Sequence, residues 1–272
     1  MPGRLPASPM GVFRALSLDL WFTTVYYETA DEAAWREDRL AVLAGGLRDA
    51  SGQAPPLDGI HRATEQVRGE LRETGREPDT VDPREMVSAI ATRLGARVIG
   101  GFEPLATAYS AAGLDRRPPR LAEGVLDVCQ ALDARGIPIV AITNTARREA
   151  SWRAVFGRLR GPAFRHIVTS CELGRKKPDP TLFEEAARRL GVEPAAILHV
   201  GDRWELDVAG ARRAGCGAVM FRGLWPRYPA AGYGEGTLPP NEGPRAAGDD
   251  GVPRIDRLEE LLDESRFPFA PP

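Results

Sequence analysis

Short apolar runs alternate with amphipathic segments along this chain, and the alternation predicts a parallel β-sheet flanked by helices. The predicted strands are 15–19, 137–142, 166–169, 197–200 and 218–221. The predicted helices of the same part of the chain are 123–135, 147–159, 180–190, 206–214 and 254–262. Because helix and strand alternate, we expect a doubly wound, Rossmann-like α/β fold with helices on both faces of a parallel sheet.

The alternation is interrupted directly after the first strand. Residues 30–118 lack strand character, and Gly and Pro divide them into four predicted helices, at 30–50, 57–74, 83–94 and 103–112. We therefore expect an all-helical domain at 29–118, inserted into an α/β domain made of residues 1–28 and 119–272. Residues 223–252 are dense in Pro and Gly and are predicted to form a long surface loop.

Three of the apolar runs end in a small polar or acidic residue, namely Asp19, Thr143 and Asp202. In a parallel sheet these ends lie on one edge, where open α/β folds place their sites. A second aspartate, Asp207, follows five residues after Asp202. Carboxylate oxygens are ligands that Mg²⁺ prefers. The layout therefore predicts a metal site at the end of the buried strands.

The basic residues add one clue, which concerns lysine. Of the 36 basic residues, only two, Lys176 and Lys177, are lysines. A chain that uses arginine everywhere else and keeps lysine here has a task that needs a compact ammonium rather than a planar guanidinium. The spacing from Gly174 favours Lys177 for that task, and Lys176 is predicted to be a solvated surface charge.

The remaining composition limits the classes of function. A net charge of −2 gives no electrostatic case for binding nucleic acid or a membrane, and no apolar run approaches the ~20 residues of a membrane span. The first ten residues lack the apolar core of a signal peptide, and three widely spaced cysteines fit reduced thiols. We expect a cytoplasmic monomer or homodimer, with a solvated arginine face at 147–165 and with His199 as a satisfied core residue.

The polar residues at the strand ends form four motifs that resemble those of the haloacid dehalogenase superfamily, whose members are mostly phosphatases. The first motif there, Asp-x-Asp-x-Thr, corresponds to residues 19–23 with one departure. The other three motifs are matched by Thr143, by Lys177 before Pro178, and by Gly201, Asp202 and Asp207. The resemblance covers residues 12–222. It implies a helical cap of the C1 type and a Mg²⁺-dependent phosphatase that acts on a small phosphorylated metabolite through an aspartyl-phosphate.

The resemblance also assigns a role to the charged residues. Asp19 is expected to be the nucleophile and, with Asp202 and the backbone carbonyl of Trp21, a ligand of Mg²⁺. Lys177 is expected to neutralise Asp19 and the phosphate oxygens as a point charge. Asp207 is expected to pair with Lys177 or to orient a water molecule of the metal.

Further residues are expected to contact the substrate. The Thr143 hydroxyl is predicted to donate to a phosphate oxygen, and the backbone N–H groups of Leu20 and Asn144 to complete the cradle. Thr23 is expected either to hold the turn after the nucleophile or to contact the water that releases the phosphate. Tyr26 and the tyrosine after it follow the first motif, where the superfamily places a flexible flap. They either contact the substrate or pack the hinge.

Trp21 is the departure from the first motif. In the superfamily's phosphatases, an aspartate at this position protonates the leaving oxygen and later activates water, and such help is typically worth ~10²–10⁴ in rate. Either the leaving group is good, as in acyl phosphates, anomeric sugar phosphates and anhydrides, or another group takes over, or turnover is slow. The indole also narrows the pocket and offers a stacking face for a ring.

Two alternatives stand beside the phosphatase. A 2-haloacid dehalogenase has an aromatic residue at the position of Trp21, but it needs no metal and lacks the Gly-Asp pattern of residues 201–202. A phosphate-binding or repurposed non-hydrolytic protein would use the same residues without turnover. A phosphonate hydrolase is disfavoured because its cap supplies a Schiff-base lysine and residues 25–120 contain none. Metal dependence separates the first alternative from a phosphatase, and trapping of a phospho-aspartate separates the second.

Overall fold

The sheet at the centre of the molecule is built from the predicted apolar runs. The computed structural model describes residues 11–27, 29–224 and 251–272. Its strands are β1 (Ala15–Leu18), β2 (Val25–Tyr26), β3 (Leu47–Arg48), β4 (Arg97–Val98), β5 (Arg120–Leu121), β6 (Ile139–Thr143), β7 (His166–Thr169), β8 (Ile197–Gly201), β9 (Gly217–Phe221) and β10 (Arg254–Ile255). Six of them form one parallel sheet in the order β10-β9-β8-β1-β6-β7. The predicted α/β fold is therefore confirmed.

Helices cover both faces of this sheet because its strands are apolar on both sides. The helices are α1 (Thr29–Gly46), α2 (Leu57–Glu73), α3 (Pro83–Arg93), α4 (Phe102–Ala111), α5 (Val125–Ala134), α6 (Glu149–Leu159), α7 (Ser170–Leu173), α8 (Thr181–Leu190) and α9 (Ala209–Arg213). Helices α5 and α6 share an apolar core with Leu16 and Leu18, whereas α8 and α9 share one with Ala15. Successive strand residues point to opposite faces, so the two cores lie on opposite sides of the sheet.

The inserted helices α1–α4 have an apolar core of their own, which includes Leu43, Ile60 and Ile90. The insert is not all-helical as predicted, because β3 pairs antiparallel with β4 beside these helices. Strands β2 and β5 also pair antiparallel, so the two connections between the sheet and the insert run side by side. The predicted domain limits at 29 and 118 fall between these two strands.

Two predicted helices of the α/β part are wrong in detail. In the segment 254–262, the first two residues form the edge strand β10, and only Leu258–Leu262 coil, as a 3₁₀-helix. The helix predicted at 206–214 begins earlier, with a π-helical turn at Trp204–Val208 that leads into α9. Single-turn π-helical segments are frequent at functional sites, and this one carries the last aspartate of the fourth motif.

Two expectations concern segments beyond the described residues. Residues 225–250, most of the surface loop predicted at 223–252, lie outside the described part of the chain, and so do the first ten residues. Among the helices that the structure does describe, none is both long enough and apolar enough to cross a membrane.

Candidate active site at the carboxyl edge of the sheet

Three neighbouring strands end at the candidate site. Strand β1 lies between β8 and β6; Asp202 and Asp19 follow β8 and β1, and β6 ends at Thr143. The Asp19 N–H donates to the Val200 carbonyl at 2.9 Å, which extends the strand pairing to the aspartate itself. One carboxylate oxygen each of Asp19, Asp202 and Asp207 lies within 4.8 Å of the others, and all three residues are buried. The strand ends thus bring the three aspartates of the motifs into one cluster.

The turn after Asp19 is tight. The Thr24 hydroxyl donates to the Asp19 carbonyl at 2.7 Å, and the Phe22 N–H donates to the Val25 carbonyl at 2.7 Å. Phe22 has a φ of 60°, a left-handed conformation that costs a bulky residue about 1–3 kcal/mol and persists where the surroundings impose it. Thr24 therefore holds this turn. The Thr23 hydroxyl is buried and has no hydrogen-bond partner among the described residues.

Lys177 lies at the centre of the site and is only 2% exposed. Its Nζ donates to Asp19 Oδ1 at 2.6 Å and to Asp207 Oδ1 at 2.5 Å. Asn144 fixes its backbone, because the side-chain amide donates to the Lys177 carbonyl at 3.0 Å and accepts from the Lys177 N–H at 2.7 Å. A buried ammonium needs such partners to offset the loss of hydration. The Asn144 side chain thus positions Lys177, a role that the sequence did not reveal.

Asp207 is held by groups on several elements. The Arg203 N–H donates to Asp207 Oδ2 at 2.9 Å, and His199 Nε2 lies 3.3 Å from Asp207 Oδ1. The other ring nitrogen of His199 lies 2.8 Å from Ser17 Oγ, which confirms that His199 is a satisfied core residue. A Cβ on Gly201 would overlap the Asp207 carboxylate. The glycine of the fourth motif is therefore required by this close approach.

The charges of the cluster are not balanced by Lys177 alone. Burial lowers the pKa of Lys177, but the two neighbouring carboxylates outweigh burial and raise it. Burial acts to raise the pKa of Asp207, and the Lys177 ammonium outweighs it, so the pKa is lowered. Burial raises the pKa of Asp19 to about 7, with Lys177 opposing the shift. Asp19 and Asp207 thus share the buried Lys177 ammonium, and Asp202 adds a third buried carboxylate to the cluster. A divalent cation held by Asp19 and Asp202 would add positive charge to it.

The donor set fits a hard cation and an anionic substrate. Asp19 and Asp202 offer the carboxylate oxygens that Mg²⁺ prefers, while Asp207 is engaged by Lys177. The Thr143 hydroxyl is fully buried and has no hydrogen-bond partner among the described residues. Leaving a buried polar group unpaired costs about 1–3 kcal/mol. A phosphate oxygen bound beside Thr143 would remove this cost.

Trp21 belongs to an aromatic cluster at the joint between the sheet and the insert. Its ring centroid lies 5.0 Å from that of Tyr27, 5.8 Å from Trp35 in α1 and 4.9 Å from Trp152 in α6. Aromatic pairs of this kind are worth about 0.5–1.5 kcal/mol each beyond the area that they bury. Trp21 also lines the cavity at the sheet edge. The indole therefore packs the joint and faces the site at once.

The cavity at the sheet edge has a volume of about 210 Å³ and has two walls of different origin. The core wall includes Asp19, Lys177, Asp202 and Asp207, together with Asn144 and Arg203. The insert wall is Asp79, which lies in the 3₁₀ turn Pro78–Thr80 between α2 and α3. The volume is below the about 300–1,000 Å³ of sites for drug-sized ligands. The cavity therefore suits a small metabolite.

Lys176 is not the solvated surface charge that the sequence predicts. Its side chain is 33% exposed and lines the cavity. Its Nζ lies 3.4 Å from Asp79 Oδ1 and 3.7 Å from Glu77 Oε2. The prediction was wrong because both partners belong to the insert, and sequence spacing does not show that the insert lies over this loop.

Two arginines at the start of α6 tie the sheet to the insert. The guanidinium of Arg147 is buried and donates to two carbonyls of the insert, those of Ser110 at 2.7 Å and Ala112 at 3.1 Å. Arg148 forms ion pairs with two carboxylates of the insert, Asp82 and Glu103. The prediction of a solvated arginine face is therefore wrong at these two positions, since the insert covers them.

Four residues that were predicted at the substrate are not part of the cavity lining, namely Leu20, Thr23, Tyr26 and Thr143. Tyr26 pairs with Arg120 in the β2–β5 ribbon and packs against the apolar core, whereas Tyr27 lines the cavity. Neighbouring residues of extended chain point to opposite sides, and the sequence does not say which side faces the site. The Leu20 side chain is part of the core, and its backbone hydrogen bond acts to lower the pKa of Asp19.

Comparisons with known proteins agree on one family. The family model for haloacid dehalogenase-like hydrolases matches residues 24–215, more than half of the chain. A glyceraldehyde 3-phosphate phosphatase of Methanopyrus kandleri is 43% identical over 105 residues, which cover 38% of this chain and 39% of that protein. A phosphoserine phosphatase of Thermus thermophilus is 38% identical over 98 residues, 36% of this chain and 39% of that protein. The chain thus matches these curated relatives over about two fifths of their length.

Solved structures agree with this chain in fold over nearly its whole length. A 2-haloacid dehalogenase from Pseudomonas syringae has a TM-score of 0.55 at 20% identity, covering 94% of this chain and 99% of that one. A HAD phosphatase from Thermococcus onnurineus has a TM-score of 0.52 at 18% identity, with coverages of 92% and 98%. At these identities the likeness concerns the fold alone. By the match to the family model over more than half of its residues, the chain belongs to the haloacid dehalogenase-like hydrolase family.

Proposed function

We propose that the protein is a Mg²⁺-dependent phosphatase that hydrolyses a small phosphorylated metabolite through an aspartyl-phosphate at Asp19. The observation that carries the proposal is the buried cluster in which Lys177 contacts both Asp19 and Asp207 while an oxygen of Asp202 lies within 4.8 Å. A carboxylate beside an ammonium at the edge of a cavity combines a nucleophile with a charge stabiliser. The relatives named as phosphatases support the same reaction type.

The reaction proceeds in two steps. A carboxylate oxygen of Asp19 first attacks phosphorus, and the bond to the leaving oxygen breaks with its electron pair. Lys177 neutralises charge on the phosphoryl oxygens, and the Thr143 hydroxyl donates to one of them. Water then attacks the phosphorus of the aspartyl-phosphate, which frees inorganic phosphate and restores Asp19. Asp19 and Asp202 would hold Mg²⁺, which when bound adds positive charge next to the phosphoryl group.

Phosphate and halide release together test this function. We expect phosphate release from at least one small phosphate ester or acyl phosphate, loss of release with EDTA, and recovery with added Mg²⁺. Halide release from 2-haloacids that is insensitive to EDTA would favour a dehalogenase. Phosphate binding without turnover of any substrate would favour a phosphate-binding protein.

The variant Asp19→Asn tests the nucleophile within the same assay. The amide keeps the shape of the side chain but removes its nucleophilic oxygen, so we expect turnover to be lost while the protein stays folded. Near-wild-type activity of this variant would overturn the covalent mechanism.

A further inference from the structure

Trp21 cannot protonate a leaving oxygen, so fast hydrolysis of a substrate with a poor leaving group needs an acid from elsewhere in the site. We propose that Asp79, on the insert wall of the cavity, is the general acid that protonates the leaving group and then the general base that activates water. This inference rests on the proposed phosphatase function.

Elimination among the groups that line the cavity favours Asp79. Its acidic lining residues are Asp19, Asp79, Asp202 and Asp207. The last of these is ion-paired with Lys177, and in the proposed function the first is the nucleophile and the third holds the metal. Tyr27 also lines the cavity, but its hydroxyl donates to Glu32, and burial raises its pKa further above neutrality. Among the four acidic residues of the lining, Asp79 is the one to which the proposed function assigns no other role.

The backbone of Asp79 is fixed to the core of the molecule. The Ser170 hydroxyl, in α7, donates to the Asp79 carbonyl at 2.6 Å and accepts from the Thr145 N–H at 2.7 Å. Thr145 lies two residues after Thr143, so this contact joins Asp79 to the sheet edge that carries the phosphate-binding hydroxyl. An acid in an inserted segment must have a fixed position relative to the nucleophile. The two hydrogen bonds of Ser170 fix the backbone of Asp79 in this way.

The carboxyl group of Asp79 is only weakly engaged. Its Oδ1 is buried and has no hydrogen-bond partner among the described residues. Lys176 Nζ lies 3.4 Å from this oxygen and donates a long hydrogen bond, 3.5 Å, to Oδ2. Burial raises the pKa of Asp79, Lys176 opposes the shift, and Glu77 adds to it. Arg39 and Arg68 share a smaller neighbouring cavity with Asp79. A carboxyl whose pKa moves towards the working pH can both give and take a proton.

The proton balance of the reaction closes on this residue. In the first step the bond from phosphorus to the leaving oxygen breaks, and the departing electron pair takes the proton of Asp79, which becomes a carboxylate. In the second step that carboxylate takes a proton from water as the water oxygen attacks phosphorus. The bond between phosphorus and Asp19 then breaks, and Asp79 is again protonated for the next turnover.

The test is a leaving-group series measured on the Mg²⁺-loaded protein with Asp79→Asn and Glu77→Gln. Alkyl phosphates need a proton on the leaving oxygen, whereas aryl phosphates with acidic phenols do not. We expect Asp79→Asn to slow the first step, release of the leaving group, by ~10²–10⁴ on alkyl phosphates. On activated aryl phosphates the first step stays fast, so this variant releases a burst of phenol and then turns over slowly, because the base of the second step is missing. Glu77→Gln removes the other partner of Lys176 but keeps the Asp79 carboxyl group, so the first step on alkyl phosphates is expected to slow far less than in Asp79→Asn.

Four results would overturn the proposal. An equal slowing of the first step across the series, or a rise in KM alone, would make Asp79 a substrate-binding residue. The same leaving-group dependence in Glu77→Gln would assign the effect to the charge around Lys176. If the wild type releases phosphate from no member of the series, the proposed function itself fails, and the role of Asp79 fails with it. A burst of phenol from aryl phosphates with Asp79→Asn separates the two failures and shows that this variant is folded.

Discussion

On the core wall of the cavity, the neighbouring titratable groups form hydrogen bonds and ion pairs with one another. Lys177 contacts Asp19 and Asp207, and Asp207 is also held by the Arg203 N–H and His199. On the insert wall, by contrast, Asp79 is anchored through its backbone, and its two carboxyl oxygens have long contacts with Lys176 Nζ, at 3.4 Å and 3.5 Å. The same cavity is thus bounded by paired charges on one side and by a weakly engaged acid on the other.

The difference corresponds to a division of tasks in the proposed reaction. A nucleophilic carboxylate must be ionised when it attacks, and the paired Lys177 ammonium favours that form by opposing the rise that burial causes in the pKa of Asp19. A general acid must change its protonation state twice in each turnover, and strong pairing would prevent this. We therefore expect substitutions on the core wall to cost both stability and activity, and those on the insert wall to cost mainly activity.

The two adjacent lysines provide the largest expected contrast between the walls. Lys177→Met leaves Asp19 and Asp207 buried without their ammonium, which is expected to lower the free energy of unfolding by about 3–5 kcal/mol. Lys176→Met removes partly exposed ion pairs and is expected to cost about 1 kcal/mol or less. Denaturant unfolding of both variants in EDTA is the measurement, because a bound cation could replace the missing charge. Equal losses of stability would contradict the difference between the walls.

A smaller effect is expected where the insert is fastened to α6. Arg148→Gln removes the ion pairs with Asp82 and Glu103, and we expect a loss of about 1 kcal/mol in unfolding free energy together with a lower kcat, because Asp79 is then less well placed. Arg153→Gln is the matched control, since Arg153 lies in the same helix and pairs with Glu149 rather than with the insert. If both variants have the same kcat, Arg148 does not help to place the insert wall.

Part of the core wall could be predicted, because Asp19 and Asp202 follow apolar runs. Each run predicts a buried strand, parallel strands end on one edge, and the polar residue after each run must therefore lie at that edge. This reasoning placed Asp19, Thr143 and Asp202 next to one another. The glycine before Asp202 has its own physical reason, which is the close approach of Asp207.

The insert wall could not be predicted, because its position depends on how the inserted helices pack on the sheet domain. Asp79 stands in a short polar turn between two helices, and nothing in its local sequence shows that it reaches the cavity. Lys176 and Arg147 look like solvated charges for the same reason, since their partners lie in the insert, far along the chain. The sequence also could not show which of Tyr26 and Tyr27 points into the cavity. A two-residue strand is too short for its pattern of apolar and polar residues to show which side is buried.

Mass spectrometry of the acid-quenched protein during turnover tests most directly whether Asp19 is the nucleophile. With a substrate that the wild type hydrolyses, we predict one phosphoryl group on the peptide that contains Asp19. The modification should form before steady-state release of phosphate and should be absent in Asp19→Asn. Phosphate release with that peptide unmodified throughout, or a phosphoryl group on another residue, would contradict the covalent mechanism.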